Sequence, residues 1–203
     1  MTTFIKYVFF FLLILTLPSY SQNESFEWTE DSVLSINHFR SPQSEISPDV
    51  KIISIYSGSS YDFSFQMSSL EFMFTKNFNS RVRTSFDPKI GVIVAPDSTT
   101  AKRLVSYGQY NFDLTELYAR KLRKALHENK KMFSNTTFFN TFYEELKEEW
   151  TQRSSEVMKT TELGKNEALL KIEQDKVAQE ILEYKAYCVS CIPPKLQKKK
   201  KKK

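Results

Sequence analysis

Two histidines in 203 residues, His38 and His127, leave little imidazole for metal ligation or general acid–base work. They stand far apart in the chain and cannot supply a pair four residues apart on one helix face. Glycine is almost as scarce, at four. That scarcity argues against a Gly-rich phosphate loop and a fibrous repeat, and no Gly-x-Ser-x-Gly nucleophile elbow occurs. The two cysteines, Cys188 and Cys191, form one Cys-x-x-Cys, which is too few ligands for a tetrahedral structural zinc site. No internal repeat marks a solenoid.

What is present suffices for one folded domain. Hydrophobic residues make up 40% of the chain and aromatics 14%, enough to bury a core. The net charge of +5 is unevenly placed: Lys195 and the six lysines Lys198–Lys203 hold seven positive charges and Lys6 one more, so the body between carries −3. A nucleic-acid binder places its basic residues on the fold itself. Here they sit in a tail that lacks aromatics to stack on bases, so no nucleic-acid partner is expected. The tail reads as solvated, with a salt-sensitive grip on an anionic surface as its one electrostatic use.

The N-terminus reads as a targeting segment. Lys6 precedes the apolar run Tyr7–Leu15, which fades at Leu17-Pro18 and is too short to span a bilayer comfortably. Ser19 and Ser21 are the small residues a signal peptidase reads, placing cleavage before Gln22. Residues 1–21 are therefore expected to be a signal peptide, and the mature protein to be periplasmic or secreted with no transmembrane segment. The alternative is an uncleaved N-terminal anchor. In an exported protein Cys188 and Cys191 would close a local disulfide, the alternative being two idle thiols. They follow a helical pattern instead of opening one, unlike redox-active pairs, whose thiolate is favoured at a helix N-terminus.

The pattern along residues 22–187 predicts a single α+β domain, strands first and helices second, with residues 188–203 as a tail. Glu24 to Val50 reads as an extended entry segment. Three to five strands of a small antiparallel sheet are expected between about Lys51 and Val94, from the alternations Ile53/Ile55, Phe63/Phe65 and Phe72/Phe74, from Val82, and from Ile90 to Val94. Asp97, Ser98 and Thr99 then offer a helix N-cap, and Leu104, Tyr107, Asn111, Leu114, Tyr118, Leu122 and Ala125 recur on one stripe. Arg120, Lys121, Arg123 and Lys124 are expected to crowd that helix's C-terminal turns. A second helical region spans about Phe138 to Tyr187, with Gly164 as an interruption. Its apolar faces carry Phe142, Leu146 and Trp150, then Leu163, Leu170, Val177, Ile181 and Tyr184.

The segment RLVSYGQYNFDLTELYARKLRKAL, Arg103 to Leu126, resembles a bacterial family of predicted secreted zinc-dependent proteases. The family's helix reads Leu-x-His-Glu-Gln-x-His-Phe-Asp, followed by Glu-x-x-Ala-Arg-Lys-Leu-Arg. Gln109, Phe112, Asp113, Glu116, Ala119, Arg120, Lys121, Leu122 and Arg123 match that outline. Trp28 and the stretch Leu34 to Arg40 resemble the family's Trp and its Leu-x-Trp-x-Asp-Phe element. The resemblance implies a zincin-like domain.

The departures fall on the chemistry. Where the resemblance implies the first zinc-binding His stands Tyr107; the general base is Gly108 and the second His is Asn111. Thr161 and Gly164 fit the Thr-x-His-Gly frame of a third ligand, and its His position is Leu163. A His-Glu-x-x-His helix works because residues four apart share a face and the Glu takes a proton from zinc-bound water. Neutral Tyr and Asn are poor zinc ligands, Leu is none, and Gly has no base. No catalytic, metal or cofactor residue is therefore assigned, and no cofactor is expected.

The expected function is that of a non-catalytic exported relative, a binding or scaffold protein whose former cleft, lined by Tyr107, Tyr110, Asn111 and Leu163, takes an extended peptide or protein ligand. The bland counterpart is that Tyr107 and Leu163 fill the space a metal would have held. The competing function is an enzyme with a rebuilt, metal-independent hydrolytic site around Asp113 and Glu116, or using His127; a replacement metal site from His127 and Glu128 is the remaining alternative. Against it, Glu116 with Arg120 and Asp113 with Lys121 read as helix-face charge pairs. A third reading is a partner-binding module in which the helical region from Phe138 to Tyr187 pairs with another helix, against burial on its own domain.

Overall fold

A 32-residue helix organises the molecule. The computed structural model describes residues 25–63, 68–130 and 139–195. The expected signal peptide, Phe65, Phe138 and the lysines Lys198–Lys203 lie outside these residues. In chain order the described elements are β1 (Phe26–Glu27), β2 (Glu45–Ile46), β3 (Ser54–Tyr56), β4 (Ser59–Phe63), α1 (Ser69–Phe74), β5 (Val82–Phe86), β6 (Val92–Ala95), α2 (Ser98–Asn129), α3 (Phe139–Thr160) and α4 (Glu167–Glu183). Single 3-10 turns occupy Ile36–His38, Asn79–Arg81 and Lys185–Tyr187. The class is α+β, with the three long helices after the strands and the short α1 between β4 and β5. No helix among the described residues is long and apolar enough to cross a membrane.

The strands form two three-stranded sheets. One has the order β1-β5-β4 and is antiparallel throughout, with Ser60 opposite Ser85 and Phe63 opposite Val82. The other has the order β2-β6-β3, and its β2–β6 pair is parallel, which the expected single antiparallel sheet did not include. The parallel partner comes from the entry segment, whose two-residue strands carry too little alternation to be read locally. Along β5, Val82, Thr84 and Phe86 are buried while Arg83 is exposed, the period of two of a sheet with one face on a core.

The alternation Phe72/Phe74 is not a strand. It lies in the short helix α1, where the Ser68 hydroxyl accepts from the Glu71 amide at 3.1 Å. Ser-x-x-Glu before an apolar run is a helix-start signature, and here it outweighs a two-residue alternation.

Asp97 caps α2, accepting from the Thr100 amide at 2.7 Å. The helix runs about 48 Å at 1.5 Å per residue and packs against both sheets on one side and α3 and α4 on the other. Leu114 to Arg120 are all buried, so two turns are surrounded on every face. The faces of α3 and α4 are spent on the same core: Phe142, Leu146 and Trp150 pack against it, and Leu170, Val177 and Ile181 are buried in it. Gly164 separates the two helices in a left-handed turn with Glu162 and Leu163, at φ values of 83°, 50° and 57°. Leu163 thus belongs to the turn and not to a helix stripe.

Candidate functional site

The helix α2 sets positions 107, 108 and 111, and α3 decides what surrounds two of them. Tyr107 is 3% exposed and Asn111 6%, and both point at Ser154 of α3. The Tyr107 hydroxyl donates to the Ser154 carbonyl at 3.0 Å and lies 3.2 Å from its hydroxyl. That hydroxyl donates in turn to Asn111 Oδ1 at 2.7 Å. Burial pushes the Tyr107 hydroxyl above its ordinary pKa, and its bonds to Ser154 and Asn111 oppose the rise. The phenol therefore stays a neutral donor that locks helix to helix.

Tyr110 stacks loosely on Tyr107, ring centroids 6.0 Å apart, and is fully buried. Burial raises its hydroxyl as well, with Arg153 opposing. Tyr107, Tyr110 and Asn111 do not line the open cleft expected of them; they form the floor on which α3 lies. Ser154 was missed from the sequence. Its only signal was the pair Ser154-Ser155 on a charged helix, which says nothing of a partner 43 residues away.

Gly108 faces the sheet. A Cβ there would stand 2.9 Å from Phe39 Cζ and 3.3 Å from Ile55 Cδ1. Phe39 cannot easily retreat, because its ring is buried, edge-on to Phe86 and close beside Gly91. The position that the resemblance gives to a general base is thus an apolar contact with no room for a side chain.

The turn holding Leu163 docks on the first turns of α2. Leu163 packs against the cluster that contains Ala101 and Leu104, and a Cβ on Gly164 would meet the Arg103 carbonyl at 2.8 Å. Thr161 is buried, with its hydroxyl donating to the Val157 carbonyl at 2.6 Å. All four positions where the resemblance implies metal ligands or a general base therefore serve packing or helix-to-helix hydrogen bonds. Among the described residues no group of three or more His, Cys, Asp and Glu side chains is arranged to hold a metal.

The matching positions make a different set. Trp28 Nε1 donates to Asp113 at 2.8 Å, and Gln109 Nε2 donates to both Asp113 oxygens at 3.1 and 3.2 Å. Gln109 also accepts from the Leu34 amide and donates to the Ser32 carbonyl, clamping the entry segment to α2. Burial raises the Asp113 carboxyl above its ordinary range, and the bonds from Trp28 and Gln109 oppose it. Asp113 does not pair with Lys121, which instead meets Glu180 at 3.7 Å and the Tyr118 ring.

Glu116 does bond Arg120, but not on a solvated helix face. The Glu116 carboxylate is 2% exposed and takes Arg120 Nε at 2.8 Å and Arg123 Nη1 at 2.8 Å. Arg120 donates onward to the Ile181 carbonyl and stands 5.4 Å over the Trp28 ring. Arg123 holds the carbonyls of Val82 and Tyr187. These arginines are buried anchors and not cations at a helix end, since α2 continues to Asn129.

The two histidines are structural contacts. His38 accepts from the Ser35 amide at 2.8 Å and closes a 3-10 turn. His127 lies between the carbonyls of Lys76 and Pro194, at 3.2 and 2.9 Å, so neither ring nitrogen is directed toward Glu128. Cys188 and Cys191 are joined as a disulfide. The Cys191 carbonyl accepts from the side-chain amides of Asn77 and Asn79, fixing the C-terminal segment beside α1.

The chain matches no family model, no curated protein and no solved structure.

Proposed function

We propose that this chain is a non-catalytic relative of a secreted zinc-dependent protease, exported and acting as a binding or scaffold protein. The observation that carries the reading is the Tyr107–Ser154–Asn111 bond set: the two positions where the resemblance implies imidazoles are spent on holding α3 against α2. Gly108 adds to it, because an apolar wall occupies the space a catalytic carboxylate would need. A rebuilt site around Glu116 draws no support from the geometry, since that carboxylate is neutralised by two guanidiniums out of reach of solvent.

The test is the zinc content of the full chain, expressed with its own N-terminus in a bacterium, recovered from the exported fraction and incubated with equimolar zinc before dialysis. A Tyr107→His, Gly108→Glu, Asn111→His variant is treated in the same way. The expected result is no retained zinc in the natural chain, whose intact mass begins at Gln22, and a destabilised variant. Stoichiometric zinc in the natural chain overturns the non-catalytic reading; a chain confined to the cytoplasm overturns the export reading.

A further inference from the structure

At the far end of α2, about 30 Å along the helix from Tyr107 by its rise per residue, the surface opens into a groove that the reading above does not use. Its volume is about 700 Å³, the size of a small-ligand site. Met73 and Phe74 of α1 form one wall and Ile192, Pro193 and Pro194 the other. Phe74 is 66% exposed and Ile192 86%, so the apolar mouth faces solvent. The disulfide and the Asn77 and Asn79 bonds to the Cys191 carbonyl hold the second wall in place.

The charge lining this groove has one sign. Lys76, Lys130 and Lys195 contribute, and among the described residues no carboxylate does. Lys130 Nζ donates to the Met73 and Thr75 carbonyls at 2.9 and 2.7 Å, leaving one N–H, and sits over the Phe72 and Phe78 rings. Burial pushes the Lys130 amine down, and the neighbouring Lys76 charge pushes it further. An anion between the two lysines relieves that repulsion.

The remaining polar side chains among the described lining residues are already engaged. The Thr75 hydroxyl donates to the Glu71 carbonyl, Asn77 bonds both the Cys191 carbonyl and the Asn79 amide, and both His127 nitrogens face carbonyls. A peptide lying here would find few side-chain partners for its backbone amides, which is costly when they are desolvated. An unbranched apolar chain asks for none.

We propose that this groove binds a single-chain amphiphile with one anionic head, of the long-chain carboxylate class, its tail between Phe74 and Pro193 and its carboxylate between Lys76 and Lys130. The site is separate from the Tyr107–Asn111 region, and its failure would leave the non-catalytic reading untouched.

The experiment is calorimetric titration of the full chain with sodium dodecanoate below its micelle concentration, beside dodecyltrimethylammonium and an acetylated acidic, leucine-rich peptide. The expected result is one saturable dodecanoate site per chain, with no comparable binding of the cationic amphiphile. Phe74→Asp should weaken it at least about tenfold, through loss of apolar contact and added repulsion, and Lys76→Glu by roughly fivefold. Both side chains are exposed, and far-UV circular dichroism checks that the fold persists; Ile192→Asp serves as the second wall variant. No saturable dodecanoate binding overturns the proposal. So does binding unchanged by Phe74→Asp and Ile192→Asp, which would place the anion elsewhere on the chain, as on the lysine tail. Equal affinity for the cationic amphiphile, or tighter binding of the peptide in competition, overturns the assigned ligand class.

Discussion

Replacing Glu116 by Gln tests whether the centre of α2 is a buried ionic anchor. The carboxylate is 2% exposed, Arg120 2% and Arg123 0%, so none of the three charges is held by water. Glutamine keeps the shape and one acceptor oxygen, yet leaves two guanidiniums without a counter-charge. Its amide N–H₂ also turns toward a donor, because Arg123 Nη2 lies 3.3 Å from Glu116 Oε2. Removing one partner of such a buried set costs about 3–5 kcal/mol. With a urea m-value of about 2 kcal/mol/M for a chain of this size, the midpoint should fall by roughly 1.5–2.5 M. Trp28, under the Arg120 guanidinium, makes fluorescence a local reporter, and far-UV circular dichroism reports the whole chain. A fall below about 0.5 M would mean that the guanidiniums find other solvation, and the reasoning would be wrong.

The usual remedy for a buried ion set should also fail here. Apolar replacement of all partners is often neutral or stabilising. In this protein Arg123 carries the Val82 and Tyr187 carbonyls and Arg120 the Ile181 carbonyl. Arg123→Met would leave two buried acceptors unpaired, at about 1–3 kcal/mol each. Glu116→Met with Arg120→Met and Arg123→Met should therefore be no more stable than Glu116→Gln. Recovery to the natural midpoint would show that those carbonyls were never dependent on the arginines.

Asp113 predicts a pH dependence. Burial raises its carboxyl in the folded state above the ordinary 3.8, so protonation favours folding. The stability it contributes is fully present below that value and is lost as pH rises through the raised one. Asp113→Asn should remove this fall, and the difference in urea midpoint between natural and variant chains should shift toward the variant from pH 3.5 to 7; parallel profiles would refute it. Gly164→Ala should destabilise by about 2 kcal/mol or more, since its φ of 83° is left-handed and its new Cβ would meet the Arg103 carbonyl at 2.8 Å. An unchanged thermal midpoint would contradict the docking of that turn on α2.

Local chemistry was legible where a residue's neighbours in sequence are also its neighbours in space. Asp97 as a cap, the Leu104–Leu122 stripe and the break at Gly164 all belong to that class. The two sheets were not legible in detail, because β2 and β3 take their register from β6, 49 and 40 residues downstream by the Glu45–Val94 and Ser54–Val94 pairs. The same limit hid the role of Arg120 and Arg123. On a helix, Glu followed four residues later by Arg reads as a surface pair. Only the return of the chain at Val82, Ile181 and Tyr187 turns that pair into an interior anchor.

The residues that carry the resemblance and those that depart from it separate in space as well as in kind. Trp28, Gln109, Asp113, Glu116, Arg120 and Arg123 form one connected network that ties the entry segment, β5 and the C-terminal turn to α2. Tyr107 and Asn111 face the opposite partner, α3, and Gly108 faces Phe39 and Ile55. A network of that kind positions a long helix whatever stands on its remaining faces. The same rigidity limits what the helix can accept. A histidine at 107 or 111 must first give up the Ser154 bonds that hold α3 in place, and a glutamate at 108 must displace Phe39 from between Gly91 and Phe86. Imidazoles at 107 and 111 and a carboxylate at 108 are therefore opposed by the packing around Tyr107, Asn111 and Gly108.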